Sequence, residues 1–286
     1  MRVHVVGAGK MGLPMALHLA AGGHAVTVQD VDEDRLALAR DAGLAFDARG
    51  LREAEVVLSS LPHDAALIAV GEQVARDAPR GTLYIDTSTV SQQASAQVAQ
   101  ACDAAGIRYL RATVSGNNKM AESAQLTVMA SGPREAYDTA LPLFKLFGAS
   151  QFYLGTGEQA RLMKLVVNLM IAQTSAMLAE ALALGRKGGL QWGDMWQVLG
   201  ASAVASPIVK AKSVQLAQRD FTPTFTVEQM VKDLGLILDA GAASHVPLPQ
   251  TAATLQLMQA AIAQGDGGDD YAAIIKAVER AAGLEP

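Results

Sequence analysis

The first half of the chain alternates short apolar runs with longer stretches of helical spacing. Residues 2–6, 24–29, 56–61, 82–85 and 107–110 are short, apolar and bounded by Gly, Pro, Asp or Ser, which predicts strands. Between them, residues 11–21, 33–42, 64–75 and 91–104 predict helices. Two further strands, 126–130 and 151–154, flank a helix over 135–146. Strands alternating with helices predict βαβ units: an α/β fold whose parallel sheet is doubly wound, with helices on both faces.

After residue 154 the pattern changes. Gly155-Thr156-Gly157 breaks the chain, and Thr156 with Gln159 three residues later fits a capping box. A helix of about 30 residues follows, reaching Lys187, and its apolar positions cover most of its circumference, so much of it is expected to be buried. The rest predicts helices only, over 192–199, 206–218, 227–243, 250–264 and 271–282. Two domains are expected, 1–157 and an all-helical 158–286, joined by that helix rather than by a loose tether. The apolar helical faces predict packing on a second copy, as a homodimer or homotetramer.

Composition narrows the function. Half of the 286 residues are apolar, 18% are charged and the net charge is −5. A mildly acidic chain without clustered Lys and Arg is not built for nucleic acid. The most apolar stretch, 165–184, is interrupted by Asn168, Gln173, Thr174, Ser175 and Glu180, and no leader pattern precedes the first strand. No membrane partner is therefore expected, and the cytoplasm is the expected compartment. The single cysteine, Cys102, lies in an Ala-rich helical stretch and is expected to be buried. The five histidines lack ligand spacing, so no metal site is predicted.

The chemistry lies in the loops that follow strands. Gly7, Gly9 and Gly12 have G-x-G-x-x-G spacing between a strand and a helix, the Rossmann context for a dinucleotide. Gly7 permits a tight turn, Gly9 lets backbone approach a pyrophosphate, Gly12 lets helix and sheet pack closely, and the helix N-terminus faces the anion. Asp30 closes the second strand, where an acid accepts hydrogen bonds from ribose hydroxyls and repels a 2′-phosphate, so NAD is expected rather than NADP. Asp32 is the second candidate, and both acids also suit a turn into a helix. His63 reads as an ordinary surface histidine. Lys164 and Asn168, at i and i+4, share one face of the long helix. A lysine among Leu162, Met163, Leu165 and Val167 is either partly desolvated and tuned for acid–base work or reaches out to water. Ser115-Gly116-Asn117-Asn118 follows a strand and is either a carboxylate-holding loop or only a turn.

Taken together, these residues resemble the β-hydroxyacid dehydrogenase family, of the 3-hydroxyisobutyrate dehydrogenase type, over nearly the whole chain. Residues 6–16 resemble its N-terminal signature, with Gly7, Ala8, Gly9, Lys10, Met11 and Gly12 as the cofactor loop. Leu61 and Pro62 are similar to its dinucleotide-contact loop. Asp86-Thr87-Ser88-Thr89-Val90 is similar to its Asp-x-Ser-Thr-Ile loop, which implies Thr89 near the cofactor. Thr113-Val114-Ser115-Gly116 is similar to its substrate loop. Gly157 through Lys164 to Asn168 matches its catalytic helix, implying Lys164 as general acid/base and Asn168 as its partner. Lys232-Asp233-Leu234 resembles an element that places Lys232 at the closed site.

The resemblance implies reversible hydride transfer between NAD and the hydroxyl-bearing carbon of a small 3-hydroxy acid, or reduction of the matching semialdehyde. Arg111, Thr113 and Asn117 stand where the family often has Asp, Pro and Gly, Lys119 occupies a usually small position, and Val167 replaces a frequent Asn. Asn117, Asn118 or Lys119 is therefore expected to read an additional polar or anionic group on the substrate. The alternatives are an imine reductase-like enzyme, against which Lys164 argues, and a non-catalytic dinucleotide-binding regulator, which needs none of Lys164, Asn168 and Ser115.

Overall fold

Strands β1 (Arg2–Val6), β2 (Ala25–Gln29), β3 (Val56–Ser59), β4 (Leu83–Asp86), β5 (Arg108–Ser115), β6 (Leu126–Ser131) and β7 (Gly148–Tyr153) make one sheet in the order β2-β1-β3-β4-β5-β6-β7. The computed structural model describes residues 1–47 and 49–285, so Pro286, the last residue of the predicted helical domain, lies outside the description. The helices between the strands are α1 (Gly12–Ala21), α2 (Glu33–Asp41), α3 (Gly50–Glu53), α4 (Asp64–Asp77), α5 (Gln92–Ala105), α6 (Asn118–Glu122) and α7 (Arg134–Phe147). Then come α8 (Gln159–Lys187), α9 (Trp192–Ala201), α10 (Pro207–Ala217), α11 (Val227–Ala243), α12 (Pro249–Ala263), a 3-10 turn at Tyr271–Ala273 and α13 (Ile274–Ala281). The chain divides into two compact units within α8, after Lys164.

In the first unit the double winding is visible residue by residue. Side chains alternate across a strand, and on β3 and β4 Val56, Leu58, Leu83 and Ile85 enter one core with Met15, Leu19 and Phe144. Their neighbours Val57 and Tyr84 enter a second core with Leu67, Val98, Cys102 and Tyr109. Cys102 is fully buried, as its Ala-rich surroundings predict, and burial pushes its thiol up to about 12. Chain order reverses at β1, which pairs in parallel with β2 on one side and β3 on the other. The crevice outside the carboxyl ends of such strands is where open α/β sheets bind ligands.

The sheet departs from the all-parallel prediction at one pair: β6 runs antiparallel to β5. The linking residues, 116–125, are fewer than the dozen or so that a parallel crossover needs. The chain turns back through the short α6, which begins at Asn118, the last residue of the segment 115–118 that the sequence leaves open between a carboxylate-holding loop and a turn. The predicted capping box at Thr156 does not form. The helix starts at Gln159, whose Oε1 accepts from Gly157 N at 2.7 Å, and Leu162 N donates to Glu158 O.

The second unit packs the rest of α8 with α9–α13 around Leu165, Ala172, Met230, Leu234, Ile237 and Ile274. Its core carries charge that is paired: Arg186 and Arg219 both meet the fully buried Glu279, and Lys212 Nζ lies 2.5 Å from Asp270 Oδ1. Among the described residues α8 is the one helix with the length and hydropathy of a membrane span, and 44% of its most apolar window is buried in the protein. Met170, Met177 and Leu184, seven residues apart, remain exposed along one stripe of it.

His4 is buried on β1 between Thr27 Oγ1 (2.9 Å) and Gln29 Oε1 (3.1 Å). A Cβ on Gly50 would intrude 2.5 Å from the His4 ring. Burial lowers the imidazole's pKa below 6.5, against the opposing hydrogen bond to Gln29 Oε1. The unfolded chain therefore takes up a proton that the folded chain refuses, and stability falls as pH drops below 6.5. We expect the melting temperature to decline from pH 7 to pH 5.5, and less steeply in His4→Gln; identical slopes would contradict this.

Candidate active site

The glycine loop leaves β1 at its carboxyl end. Gly7 has φ +94° and its N donates to Gln29 O at 2.8 Å, so the turn needs the left-handed conformation open to glycine. A Cβ on Gly12 would strike the Gly7 carbonyl, which fits close helix–sheet packing. A Cβ on Gly9 would meet nothing within 4 Å, so the backbone there faces open space. Helix α1 has no side-chain cap and no acid in its first turn, leaving its N-terminal dipole available to an anion. Ala8 is buried and Lys10 exposed. These features fit the pyrophosphate of a dinucleotide.

Asp30 sits where the sequence places it, at the end of β2, and also braces the loop: Oδ2 accepts from Ala8 N at 2.6 Å and Oδ1 from Asp32 N at 3.0 Å. Asp32 caps α2 through Asp34 N. His63 caps α4, its Nδ1 accepting from Ala66 N at 3.2 Å.

The loops after β3 and β4 are tied together by a polar cluster. Leu61 N donates to Ser88 Oγ at 2.8 Å, next to Pro62 and Thr89. Asp86 Oδ1 accepts from Ser59 Oγ at 2.5 Å and Ser88 Oγ at 2.6 Å. Asp86 Oδ2 pairs with Arg161 in the first turn of α8, and both side chains are 0% exposed. Arg161 also donates to Ser88 O (2.6 Å), Tyr109 OH (2.9 Å) and Ser95 Oγ (3.1 Å). Sequence reasoning passed over Arg161; the available signal was an arginine three residues before Lys164 on the same helix face.

Beyond β5, Ser115 is half-buried, and Gly116 takes φ +136°. Asn117 and Lys119 are exposed, and Asn117 caps α6 by accepting from Met120 N at 3.0 Å. Asn118 Oδ1 is buried and makes no hydrogen bond. Two of the departures from the family pattern turn inward. Arg111 pairs with Glu158 and stacks on Tyr109 at 4.7 Å, and Thr113 Oγ1 donates to Ala160 O at 3.0 Å. Lys164 is half-buried. In the second unit Asn168 is buried and donates to Asp233 Oδ2 at 2.5 Å, while Lys232 Nζ lies 3.0 Å from Asp233 Oδ1. Asp233 thus joins Asn168 on α8 to Lys232 on α11.

Residues 2–155 match the NAD-binding domain of 6-phosphogluconate dehydrogenase, and residues 157–278 match the NAD-binding domain of NADP-dependent 3-hydroxyisobutyrate dehydrogenase. The chain belongs to the β-hydroxyacid dehydrogenase family. It is 32% identical to 2-(hydroxymethyl)glutarate dehydrogenase of Eubacterium barkeri, over 99% of this chain and 96% of that one. It is 31% identical to L-threonate dehydrogenase of Cupriavidus necator, over 96% and 95%. The crystal structure of 3-hydroxyisobutyrate dehydrogenase from Salmonella typhimurium superposes with a TM-score of 0.87 at 27% identity, covering 96% of this chain and 98% of that one. As a β-hydroxyacid dehydrogenase it is an oxidoreductase acting on the CH–OH group of a hydroxy acid with a nicotinamide dinucleotide.

The contrast between two glycines tests the cofactor loop. Gly9→Ala adds a methyl in open space, so its melting temperature should match the parent's, while NADH affinity falls at least about tenfold because the methyl stands where the pyrophosphate approaches. Gly12→Ala should lose both. Parental NADH affinity in Gly9→Ala, measured by fluorescence titration, would place the dinucleotide elsewhere.

Proposed function

We propose that this β-hydroxyacid dehydrogenase uses NAD to oxidise a small 3-hydroxy carboxylic acid, or to reduce the matching semialdehyde, with Lys164 as general acid/base. The observation that carries the reading is the helical stripe Arg161, Lys164, Asn168, spaced i, i+3, i+7 and so within roughly 60° of one another. Arg161 anchors that stripe at the carboxyl ends of the strands, beside the loops that fit the dinucleotide. The nicotinamide, when bound, supplies the hydride acceptor or donor. Lys164 takes the hydroxyl proton during oxidation and returns it during reduction. Asn168, its amide oriented by Asp233, holds the hydroxyl, and Ser115 with the Gly116 backbone holds the carboxylate. The family resemblance implies a role for Lys232, paired with Asp233, toward the cofactor. Lys164 favours this enzyme over imine reduction, and Lys164, Asn168 and Ser115 favour it over a dinucleotide-binding regulator.

For NAD over NADP the support is local. Asp30 and Asp32 flank the fully exposed Val31 in the loop after β2, and Glu33 and Asp34 open α2 ahead of Arg35, so a 2′-phosphate would meet carboxylates in that loop. The match that names an NADP-dependent enzyme covers residues 157–278, away from this loop. We further propose that Asn117, Asn118 or Lys119 reads an additional polar or anionic group. The reading places the protein in the cytoplasm as a homodimer or homotetramer, without membrane or nucleic-acid partners. It rests on the buried lone thiol, the exposed apolar stripe on α8 and the net charge of −5.

The test is NADH absorbance against 3-hydroxyisobutyrate, 3-hydroxypropionate, glycerate, threonate and 2-(hydroxymethyl)glutarate, each with NAD and NADP. We expect turnover with NAD, at a higher kcat/KM than with NADP. Lys164→Ala should lose ~10²–10⁴ in kcat while still binding NADH. Lys119→Ala should weaken selection for acids bearing a second polar group. Parental turnover in Lys164→Ala, or a preference for NADP, would overturn the corresponding part.

A further inference from the structure

Arg161 is the largest fully buried side chain among the described residues, and removing its charge from water is costly unless every donor is met. Its planar fork reaches four elements at once: Ser95 on α5, Tyr109 on β5, Asp86 at the end of β4 and the Ser88 carbonyl in the loop that follows. Two more hydrogen bonds, Ser88 Oγ to Asp86 and Leu61 N to Ser88 Oγ, carry the connection to the loop after β3. A planar guanidinium tolerates little rotation about the helix axis before several of these bonds fail together.

Apolar packing holds one side of the helix at this turn, through Ala160 at 0% and Leu165 at 3% exposed. Leu162, Met163 and Val166, also beside Lys164, are 44%, 38% and 43% exposed. The residues that are gripped lie just before it. Ala160 N donates to Ser131 Oγ at 3.0 Å, Ala160 O accepts from Thr113, and Glu158 meets Arg111. A buried ion pair is seldom more stabilising than well-packed apolar residues of the same volume. What this one supplies is a fixed register.

We propose that Arg161 is a positioning residue: it sets the height and rotation of α8, and hence the placement of Lys164, while pinning the Leu61 and Ser88–Thr89 loops that face the dinucleotide. The proposal rests on the reading of Lys164 as general acid/base. Arg161 touches neither substrate nor cofactor; it acts through Lys164 and the loops.

The test uses the full chain with Arg161→Lys, Tyr109→Phe, Lys164→Ala and the double variant Arg161→Lys/Lys164→Ala. Arg161→Lys keeps the charge facing Asp86 but loses the fork. It should fold, as judged by circular dichroism, and lose at least about tenfold in kcat on the best acid of the panel, with KM for that acid changed less than about threefold. Its NADH affinity should fall about fivefold, a readout that needs no substrate. The limb of the pH–rate profile that belongs to Lys164 should move, and Arg161→Lys should add no further loss in the Lys164→Ala background. Tyr109→Phe removes one partner of Nη2 and should show the same pattern at smaller size, so it decides the matter if Arg161→Lys does not fold. The proposal is overturned if kcat, pH profile and NADH affinity stay parental while Lys164→Ala is inactive, or if Arg161→Lys costs the same factor with and without Lys164. Parental turnover in Lys164→Ala instead overturns the acid/base reading itself.

Discussion

The constraint on which the first unit turns is one buried pair of charges, Arg161 with Asp86. Neither side chain reaches water, so each needs the other and a full set of hydrogen-bond partners. Ser59, Ser88 and Ser95 supply neutral ones. The two tyrosines in the cluster could have been rival anions. Burial raises the Tyr84 hydroxyl well above its ordinary pKa, and it pushes that of Tyr109 up to about 12. Both remain neutral at physiological pH, and the cluster's charge sums to zero around one cation and one anion. Such a cluster is satisfied in one arrangement and badly unsatisfied in its neighbours, and it therefore selects a register.

That selection explains the start of α8. The sequence shows a capping box at Thr156 and Gln159, a local device for the orphan N–H groups of a helix end. The fold answers the same need with tertiary partners: Ser131 takes the Ala160 N–H, and Gln159 turns back to Gly157. Arg111 and Thr113, which replace the residues frequent in the family, grip Glu158 and the Ala160 carbonyl. A substitution that looks like altered specificity in the sequence is, at these two positions, part of the clamp on the helix.

What was legible in the sequence follows from range. Strands with apolar runs, the glycine loop and the long helices are dictated by neighbours a few residues away. The strands β1 and β2 and the helix α11 accordingly lie within a residue of their predicted positions. The placements of Asp30 and Lys164 were readable for the same reason. The antiparallel β6, the short α6 and the cap of α8 depend on partners tens of residues distant, and no periodicity announces them. Arg161 was the costliest omission. Between Ala160 and Leu162 an arginine looks like an exposed helix residue, and only the convergence of β4, β5 and α5 makes it the centre of the unit. Asp233 was visible as a letter in a motif, but its bond to Asn168 spans 65 positions.

The same distinction separates cofactor from substrate. A dinucleotide is met largely by backbone, and backbone geometry needs glycine at defined spacings, which a single sequence displays. A hydroxy acid is met by a few side chains whose neighbours decide whether they face the ligand or the core. At positions 111 and 113 the neighbours claim the side chain. Asn117 and Lys119 are exposed, and the buried Asn118 oxygen has no partner within the fold. An unsatisfied buried acceptor is unfavourable unless something outside the folded chain meets it. Asn117, although exposed, already caps α6, so in the loop after β5 the Asn118 oxygen is the buried acceptor left for the proposed contact with a substrate's second polar group.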